Sequence, residues 1–258
     1  MMDIRLDYSV AAGYKSKRQI ARVVTEHWVE RNIFCPICGE PILTHYRDNR
    51  PVADFFCNSC GSDYELKSKE STNGVGKKIA DGALTTMMKR IQELNNPNLF
   101  IMTHSHLKVK DFLLVPKYFF VPSIIEPREP LKPPARRAGW QGCNILYQDI
   151  PDSGKIFIIK DYKTIDKQTV ITNYNRTVEL KTDNLESRGW VLDVLSCVDR
   201  APQDNFTLQQ IYEFAGELQS KHPDNNFVHA KIRQQLQILR DKGFIEFKAR
   251  GQYKRIRL

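Results

Sequence analysis

The sequence lacks an apolar run as long as a membrane span, and its first residues lack the basic-then-apolar pattern of a secretory signal peptide. We therefore expect a cytoplasmic protein with no membrane partner. Cysteine is scarce, with six residues in a chain of 258. Because the cytosol is reducing, cysteines in close pairs favour metal binding over disulfides, whereas Cys143 and Cys197 are expected to be small buried residues.

Acidic residues are the minority among the charged side chains. The 39 Lys and Arg exceed the 30 Asp and Glu, giving a formal charge of +9, while hydrophobic residues make up 41% of the chain. This composition is that of an ordinary globular protein and not of a disordered tail protein. The positive charge suits a polyanionic partner such as nucleic acid, although it also promotes solubility. No obligate protein partner is evident.

Four of the six cysteines form two knuckles. Cys35 and Cys38 are followed by Gly39, and Cys57 and Cys60 are followed by Gly61. The number of residues between Cys38 and Cys57 falls in the range of roughly 15–20 that is typical of four-cysteine zinc sites. A chance pair or a redox dithiol is the alternative for one such motif. Two of them predict structural zinc, because four thiolates leave no open position for a reactive water.

A second pattern runs through the second knuckle. Asp54 precedes it, and Glu65, Leu66 and Lys67 follow it in a segment rich in strand-forming residues. In a strand, Glu65 and Lys67 share one face, and Asp54 can join them from a neighbouring strand. Two carboxylates and an amine can hold Mg²⁺ against a phosphodiester, with the lysine near the attacking water. The alternative for this common pattern is a solvated strand face.

The order of predicted elements indicates an α+β fold with helices on a mixed sheet. Apolar spacing predicts a helix through Ile20 and Val29 and another through Ala83 and Ile91. Strands are predicted at 51–56, 63–67, 99–103, 112–115 and 156–160. Periodicity fades over 161–187, where we place the boundary between a first domain of residues 1–182 and a second of residues 183–258.

The second domain has the element order of a winged helix. Helices are predicted through Trp190 and Val198, through Leu208 and Leu218, and over 227–242, followed by strands at 244–247 and 253–258. Three helices and a β-hairpin form a helix-turn-helix variant that binds DNA.

The third helix of this domain has an apolar side and a polar side. We expect its polar side to face the major groove, since Arg and Gln suit base edges, and basic hairpin residues to contact phosphates. The alternative is a solvated helix face and a basic tail. The groove residues are Ala230, Arg233, Gln234 and Gln237, and the hairpin residues are Lys248, Arg250, Lys254 and Arg255.

A proline-rich stretch over 127–134 leads to Arg136, Arg137 and Trp140. Two arginines beside an aromatic ring can bind phosphate and stack on a base. A tryptophan after glycine also serves as an anchor for its own loop. We retain both interpretations.

Five segments spread over nearly the whole chain closely resemble the DpnI family of methyl-directed type II restriction endonucleases. They are Pro-Val-Ala-Asp-Phe (51–55), Glu-Leu-Lys-Ser-Lys (65–69), Met-Met-Lys-Arg (87–90), Ala-Arg-Arg-Ala-Gly-Trp (135–140) and Ile-Arg-Gln-Gln-Leu-Gln-Ile-Leu-Arg-Asp-Lys (232–242). One departure from the general nuclease motif is Ala53, where a proline commonly precedes the aspartate. The segments 71–78 and 161–187 match less well.

The resemblance implies an N-terminal PD-(D/E)xK nuclease domain with zinc knuckles and a C-terminal winged helix, both binding DNA in a prokaryotic cell. It implies cleavage of duplex DNA at GATC sites whose adenine carries an N6-methyl group. Asp54, Glu65 and Lys67 correspond to the catalytic residues, with Mg²⁺ at Asp54, Glu65 and Leu66, and the four paired cysteines correspond to the zinc ligands. The alternatives are a non-catalytic zinc-containing winged-helix regulator and a nuclease of the same fold acting in repair.

Overall fold

A computed structural model describes residues 2–46 and 53–256. In the first part of the chain the helices and strands are α1 (Lys17–Asn32), β1 (Thr44–His45), β2 (Phe55–Phe56), β3 (Asp63–Glu70), β4 (Ile79–Ala83), α2 (Leu84–Gln92), β5 (Asn98–Ser105), β6 (Lys108–Val115), β7 (Ile125–Pro127), β8 (Gly142–Ile145), β9 (Ile156–Lys160), β10 (Lys163–Thr164) and α3 (Lys167–Val178). The fold is α+β, as the sequence predicts. Of the predicted strand over 51–56, residues 51 and 52 lie outside the described part of the chain.

The largest sheet is mixed and has the strand order β1-β2-β3-β5-β6-β9-β10. Its strands pair antiparallel except for β3 and β5, which are parallel. A parallel pair needs a crossover connection. Here the crossover contains β4 and α2, and β4 pairs with β8 in a separate three-stranded sheet of order β4-β8-β7. The crossover therefore brings the small sheet next to β3, where Asp81 of β4 contacts Lys67.

Both faces of the large sheet are covered, which is why every residue of β5 is buried. Phe100 and Met102 pack into a core with Val24 and Trp28 of α1. Leu99 and Ile101, which point to the opposite face, belong to a second core. This alternation follows from the two-residue period of a strand. The second core continues into the C-terminal helices, so the chain packs as a layered structure around the sheet.

The polar segment over 161–187 contains α3, which the fading periodicity did not predict. Asp166 caps this helix by accepting a hydrogen bond from the Thr169 amide at 2.9 Å. Within α3 only Val170 and Thr177 are buried. A helix with so narrow a buried stripe has little apolar periodicity in its sequence. The capping residue Asp166 is the local feature that could have indicated where this helix begins.

The C-terminal part consists of α4 (Leu185–Asp199), β11 (Asn205–Thr207), α5 (Leu208–Tyr212), α6 (Ala215–Lys221), α7 (Val228–Asp241), β12 (Ile245–Ala249) and β13 (Gln252–Arg255). The predicted second helix is divided into α5 and α6, and its Thr207 begins α5 with a capping box to Gln210. The hairpin gains a third strand, β11, in a sheet of order β11-β13-β12. Residues 257 and 258 of the predicted last strand lie outside the described residues.

Within residues 2–46 and 53–256, the structure contains no helix with the length and apolar character that a bilayer crossing requires.

Candidate active site, metal centre and nucleic-acid interface

The two cysteine knuckles have the same backbone geometry. In each, the glycine amide donates a hydrogen bond of 2.9 Å to the carbonyl of the first cysteine, Gly39 to Cys35 and Gly61 to Cys57. Both glycines have positive φ angles, 82° and 68°. Glycine adopts this region without the steric cost that a Cβ imposes. Each knuckle therefore directs its two thiols to the same side of a tight turn.

The four thiols meet at one point, with all sulfur atoms within 4.8 Å of one another. The sulfurs of Cys35 and Cys60 are 3.7 Å apart, and those of Cys38 and Cys57 are 3.5 Å apart. Four sulfurs about 2.3 Å from a tetrahedral zinc lie about 3.8 Å from one another. The cluster thus fits a zinc ion, as the sequence predicts. Cys143 and Cys197, which the sequence assigns to the core, are both buried.

Asp54 is held beside β3 by the main chain. Its amide donates to the Tyr64 carbonyl at 2.8 Å, and its carboxylate Oδ2 accepts from the Leu66 amide at 2.7 Å. The second knuckle closes the hairpin between Asp54 and β3, with Phe55 paired to Tyr64. Leu66 offers an ion only its main-chain carbonyl, since its side chain has no polar atom. Asp54, Glu65 and Leu66 supply the hard oxygen donors that suit Mg²⁺.

Glu65 and Lys67 lie on one face of β3, and their side chains form an ion pair with Nζ to Oε1 at 2.5 Å. Sequence reasoning missed the third member of this group. Asp81, on β4, lies with Oδ1 at 2.6 Å from Lys67 Nζ, and its side chain is only 7% exposed. No local motif links Asp81 to Lys67, because their contact depends on the crossover between the two sheets.

Burial and charge act in opposite directions on these groups. Burial raises the pKa of Glu65, and the neighbouring carboxylates add to that effect while Lys67 opposes it. Burial by itself lowers the pKa of Lys67, but the two carboxylates outweigh it and hold the pKa above its ordinary value. Lys67 is therefore an ammonium group that donates hydrogen bonds, and it is not a proton acceptor at neutral pH.

A cavity of about 490 Å³ opens beside this group, and Asp54, Glu65 and Lys67 line it together. Basic side chains lie on the same walls, on α1, β3 and the segment before β4. They are Arg18, Arg22, Lys69 and Lys78. Positive charge on the walls of the cavity suits a polyanionic ligand.

The loop between β7 and β8 carries the three residues predicted to bind DNA there. Arg136 and Arg137 are exposed, and Trp140 is half-buried. The Arg137 guanidinium lies 5.0 Å from the centre of the Trp140 ring. The Trp140 carbonyl accepts from the Leu131 amide at 2.9 Å, which closes the loop. Trp140 thus helps to close its own loop through its main chain, and the DNA contacts predicted for Arg136, Arg137 and the Trp140 ring stay predictions.

The helix α7 divides as its periodicity predicts. Val228, Ile232, Leu236 and Leu239 are buried. The four predicted groove residues, Ala230, Arg233, Gln234 and Gln237, are exposed. Phe227, just before the helix, is 76% exposed, which its apolar character did not predict.

The predicted phosphate contacts on the hairpin separate into two groups. Lys248, Arg250 and Lys254 are exposed. Arg255 is wrongly assigned to DNA: it is buried, and its guanidinium donates to Asp204 Oδ1 at 2.8 Å and to the Val198 carbonyl at 3.0 Å. Alternation along β13 turns Arg255 inward and Lys254 outward. Arg255 joins the hairpin to the end of α4.

Two family matches cover most of the chain. The family described as DpnI, the Dam-replacing family, matches residues 2–183. A second family, described as the Dam-replacing HTH domain, matches residues 186–255. The helix-turn-helix match falls on the helices and hairpin from α4 to β13. The chain therefore belongs to the DpnI, or Dam-replacing, family.

Proposed function

We propose that the protein is a Mg²⁺-dependent type II restriction endonuclease that hydrolyses phosphodiester bonds in duplex DNA at GATC sites carrying N6-methyladenine. The observation that carries the proposal is the convergence of Asp54, Glu65 and Lys67 on one wall of a basic cavity. Membership of the DpnI family supports the choice of reaction and target. The family's helix-turn-helix match supports DNA as the partner.

Each residue of the proposed site has a separate task. Asp54 and Glu65 would hold Mg²⁺ together with the Leu66 carbonyl. When bound, the ion neutralises the charge that develops on the phosphate and activates water. Lys67 stays protonated between its carboxylates and donates a hydrogen bond to the phosphate or to the attacking water. The hydrogen bond from Leu66 to Asp54 keeps that carboxylate turned toward the cavity.

The proposed hydrolytic site and the cysteine cluster use different groups. Cys57 and Cys60 lie in the hairpin between Asp54 and Glu65, and the four thiols of the cluster are distinct from the carboxylates of the cavity. We propose that zinc fixes this hairpin and takes no part in hydrolysis, since four thiolates complete its shell. The division into domains near residue 183 is part of the same proposal.

The proposal is tested by incubating purified protein with plasmid that is adenine-methylated at GATC or unmethylated, each with Mg²⁺ and with a chelator. We expect cleavage only of methylated plasmid in the presence of Mg²⁺. An Asp54→Ala preparation purified in parallel excludes contaminating nuclease. Binding without cleavage would favour a non-catalytic zinc-containing winged-helix regulator. Cleavage of both plasmids would favour a nuclease acting on structured DNA in repair.

A further inference from the structure

Two carboxylates share the ammonium group of Lys67. Glu65 Oε1 lies 2.5 Å from Lys67 Nζ, and Asp81 Oδ1 lies 2.6 Å from it. The two acids differ in burial: the Glu65 side chain is 21% exposed and the Asp81 side chain 7%. They also come from different sheets, because Glu65 lies on β3 and Asp81 on β4. Lys67 therefore bridges the large sheet and the small one.

The acids also differ in the cavities that they line. Glu65 and Lys67 line both the main cavity, with Asp54, and a smaller cavity of about 260 Å³, whereas Asp81 lines the smaller one. Apolar residues, among them Met87, Leu99 and Phe120, form much of the wall of the smaller cavity. An ion bound by Asp54 in the main cavity would share that cavity with Glu65, whereas Asp81 is not among the residues that line it. Glu65 is thus the acid that an ion competes for.

This arrangement has a consequence for the proposed reaction, on which the inference rests. A carboxylate that ligates Mg²⁺ loses most of its capacity to hold a neighbouring ammonium, because the ion takes its oxygen and repels the like charge. Lys67 would then be free to turn away unless a second partner held it. We propose that Asp81 is the positioning residue that keeps Lys67 in place when Glu65 engages the metal.

The position of Asp81 also connects the lysine to the DNA-binding loop. Within the small sheet, Asp81 pairs with Cys143 of β8, and the Leu84 amide donates to the Gln141 carbonyl at 3.1 Å. The loop with Arg136 and Arg137 ends at that same point. Asp81 therefore belongs to the rigid element that carries the loop, and the contact with Lys67 fixes the catalytic amine relative to it.

The first test measures how available the Lys67 amine is, without any cleavage. Full-length protein is treated with an amine-acylating reagent at fixed pH, and modification of Lys67 is quantified by peptide mass spectrometry, with and without Ca²⁺ as a non-catalytic substitute for Mg²⁺. In the wild type we expect slow labelling in both conditions. In Asp81→Asn, which has the same shape but no charge, we expect labelling with Ca²⁺ to rise by about tenfold or more, as loss of one charge-assisted hydrogen bond implies.

The matched control is Glu126→Gln, which removes a carboxylate–lysine pair from the same small sheet, Glu126 with Lys78 at 2.6 Å. Labelling of Lys67 should not change in this variant. Asp81→Glu restores the charge and should return Lys67 toward slow labelling. If Asp81→Asn does not fold, Lys67 labelling in Asp81→Glu is compared with that in the wild type instead.

The second test uses cleavage of methylated DNA. Asp81→Asn should lower kcat by about tenfold or more with a smaller change in KM, because the lysine is proposed to act in the chemical step and is one of many groups that would contact the DNA. Unchanged labelling of Lys67 in Asp81→Asn with Ca²⁺ overturns the inference, and so does loss of Ca²⁺ binding, which would make Asp81 a ligand. Absence of cleavage by the wild type would overturn the proposed function, whereas the labelling result would still decide the role of Asp81.

Discussion

The proposed catalytic cavity and the exposed face of α7 arrange their polar groups in different ways. In the cavity, Lys67 contacts two carboxylates, and the Asp54 carboxylate accepts a main-chain hydrogen bond. On α7, Gln234 and Gln237 are exposed to solvent, and Arg233 donates to the Tyr212 hydroxyl at 2.7 Å. In the first region neighbouring protein groups hold the charged side chains, whereas in the second Gln234 and Gln237 lie exposed at the surface.

This difference fits the two proposed tasks. Hydrolysis depends on charges held in place while the transition state forms, and neighbouring protein groups hold the charges in the cavity. Recognition of base edges is shared among several contacts, each worth on the order of 1–3 kcal/mol. A single substitution should therefore have a far larger effect in the cavity than on α7.

The strongest test of the comparison is removal of a charge in the cavity. Asp54→Ala and Lys67→Ala should each reduce cleavage of methylated DNA on the order of 10²–10³-fold or more, because electrostatic stabilisation of the transition state is lost. DNA affinity, measured by fluorescence titration in Ca²⁺, should remain close to wild type. Near-wild-type cleavage by either variant would contradict the assignment of that residue.

Substitution of a cysteine in the zinc cluster should have the next largest effect on cleavage, because the cluster stabilises the hairpin that carries Asp54. We expect one zinc per chain, and Cys57→Ser should lower bound zinc, thermal stability and cleavage together. Structural zinc contributes roughly 10–16 kcal/mol of apparent binding energy that is also folding energy. Cys197→Ser, at a buried cysteine away from the cluster, is the control and should keep its zinc. Active protein without zinc would refute the prediction.

The same comparison explains what the sequence could predict. Cys35, Cys38, Cys57 and Cys60 meet as their spacing predicts, because ligand pairs in tight turns are a local property. The apolar stripe of α7 was predicted for the same reason, since Val228 and Ile232 are one turn apart. Local periodicity thus identifies helices and knuckles.

The errors arose where tertiary structure decides. Asp81 meets Lys67 only because a crossover carries β4 back toward β3. Arg255 has the composition of a phosphate contact, and its burial depends on Asp204 and the end of α4. The helix α3 was not predicted because only two of its residues are buried, so its sequence has little apolar periodicity.

Arg255 and Lys254 are neighbours on β13. Substituting each of them tests whether Arg255 stabilises the fold while Lys254 contributes little to stability. Arg255→Ala should lower the free energy of unfolding by about 1–3 kcal/mol, since it leaves buried carbonyls of α4 without a donor. Asp204 is 41% exposed, so loss of its ion pair adds little. Lys254→Ala should stay within about 0.5 kcal/mol of the wild type in urea unfolding. Equal stability of the two variants would contradict the inward position of Arg255.

The smallest effects should come from single contacts on α7. In a full-length Asp54→Ala background, substitution of Arg233 or Gln234 by alanine should cost on the order of 1–3 kcal/mol on methylated GATC and narrow its preference over the unmethylated duplex. The full chain is used because Asp193 of α4 accepts from Ser123 at 3.0 Å, which ties the two parts together.

The matched control for those substitutions is Lys254→Ala in the same background. A phosphate contact should be lost equally on every duplex, with the slope of log affinity against log salt reduced by about one. Fluorescence titrations on methylated, unmethylated and unrelated duplexes at several salt concentrations separate the two patterns. If Arg233→Ala weakened binding to all three duplexes alike and flattened the salt dependence, Arg233 would be a phosphate contact. Gln234 and Gln237 would then be the remaining candidates on α7 for recognition of base edges.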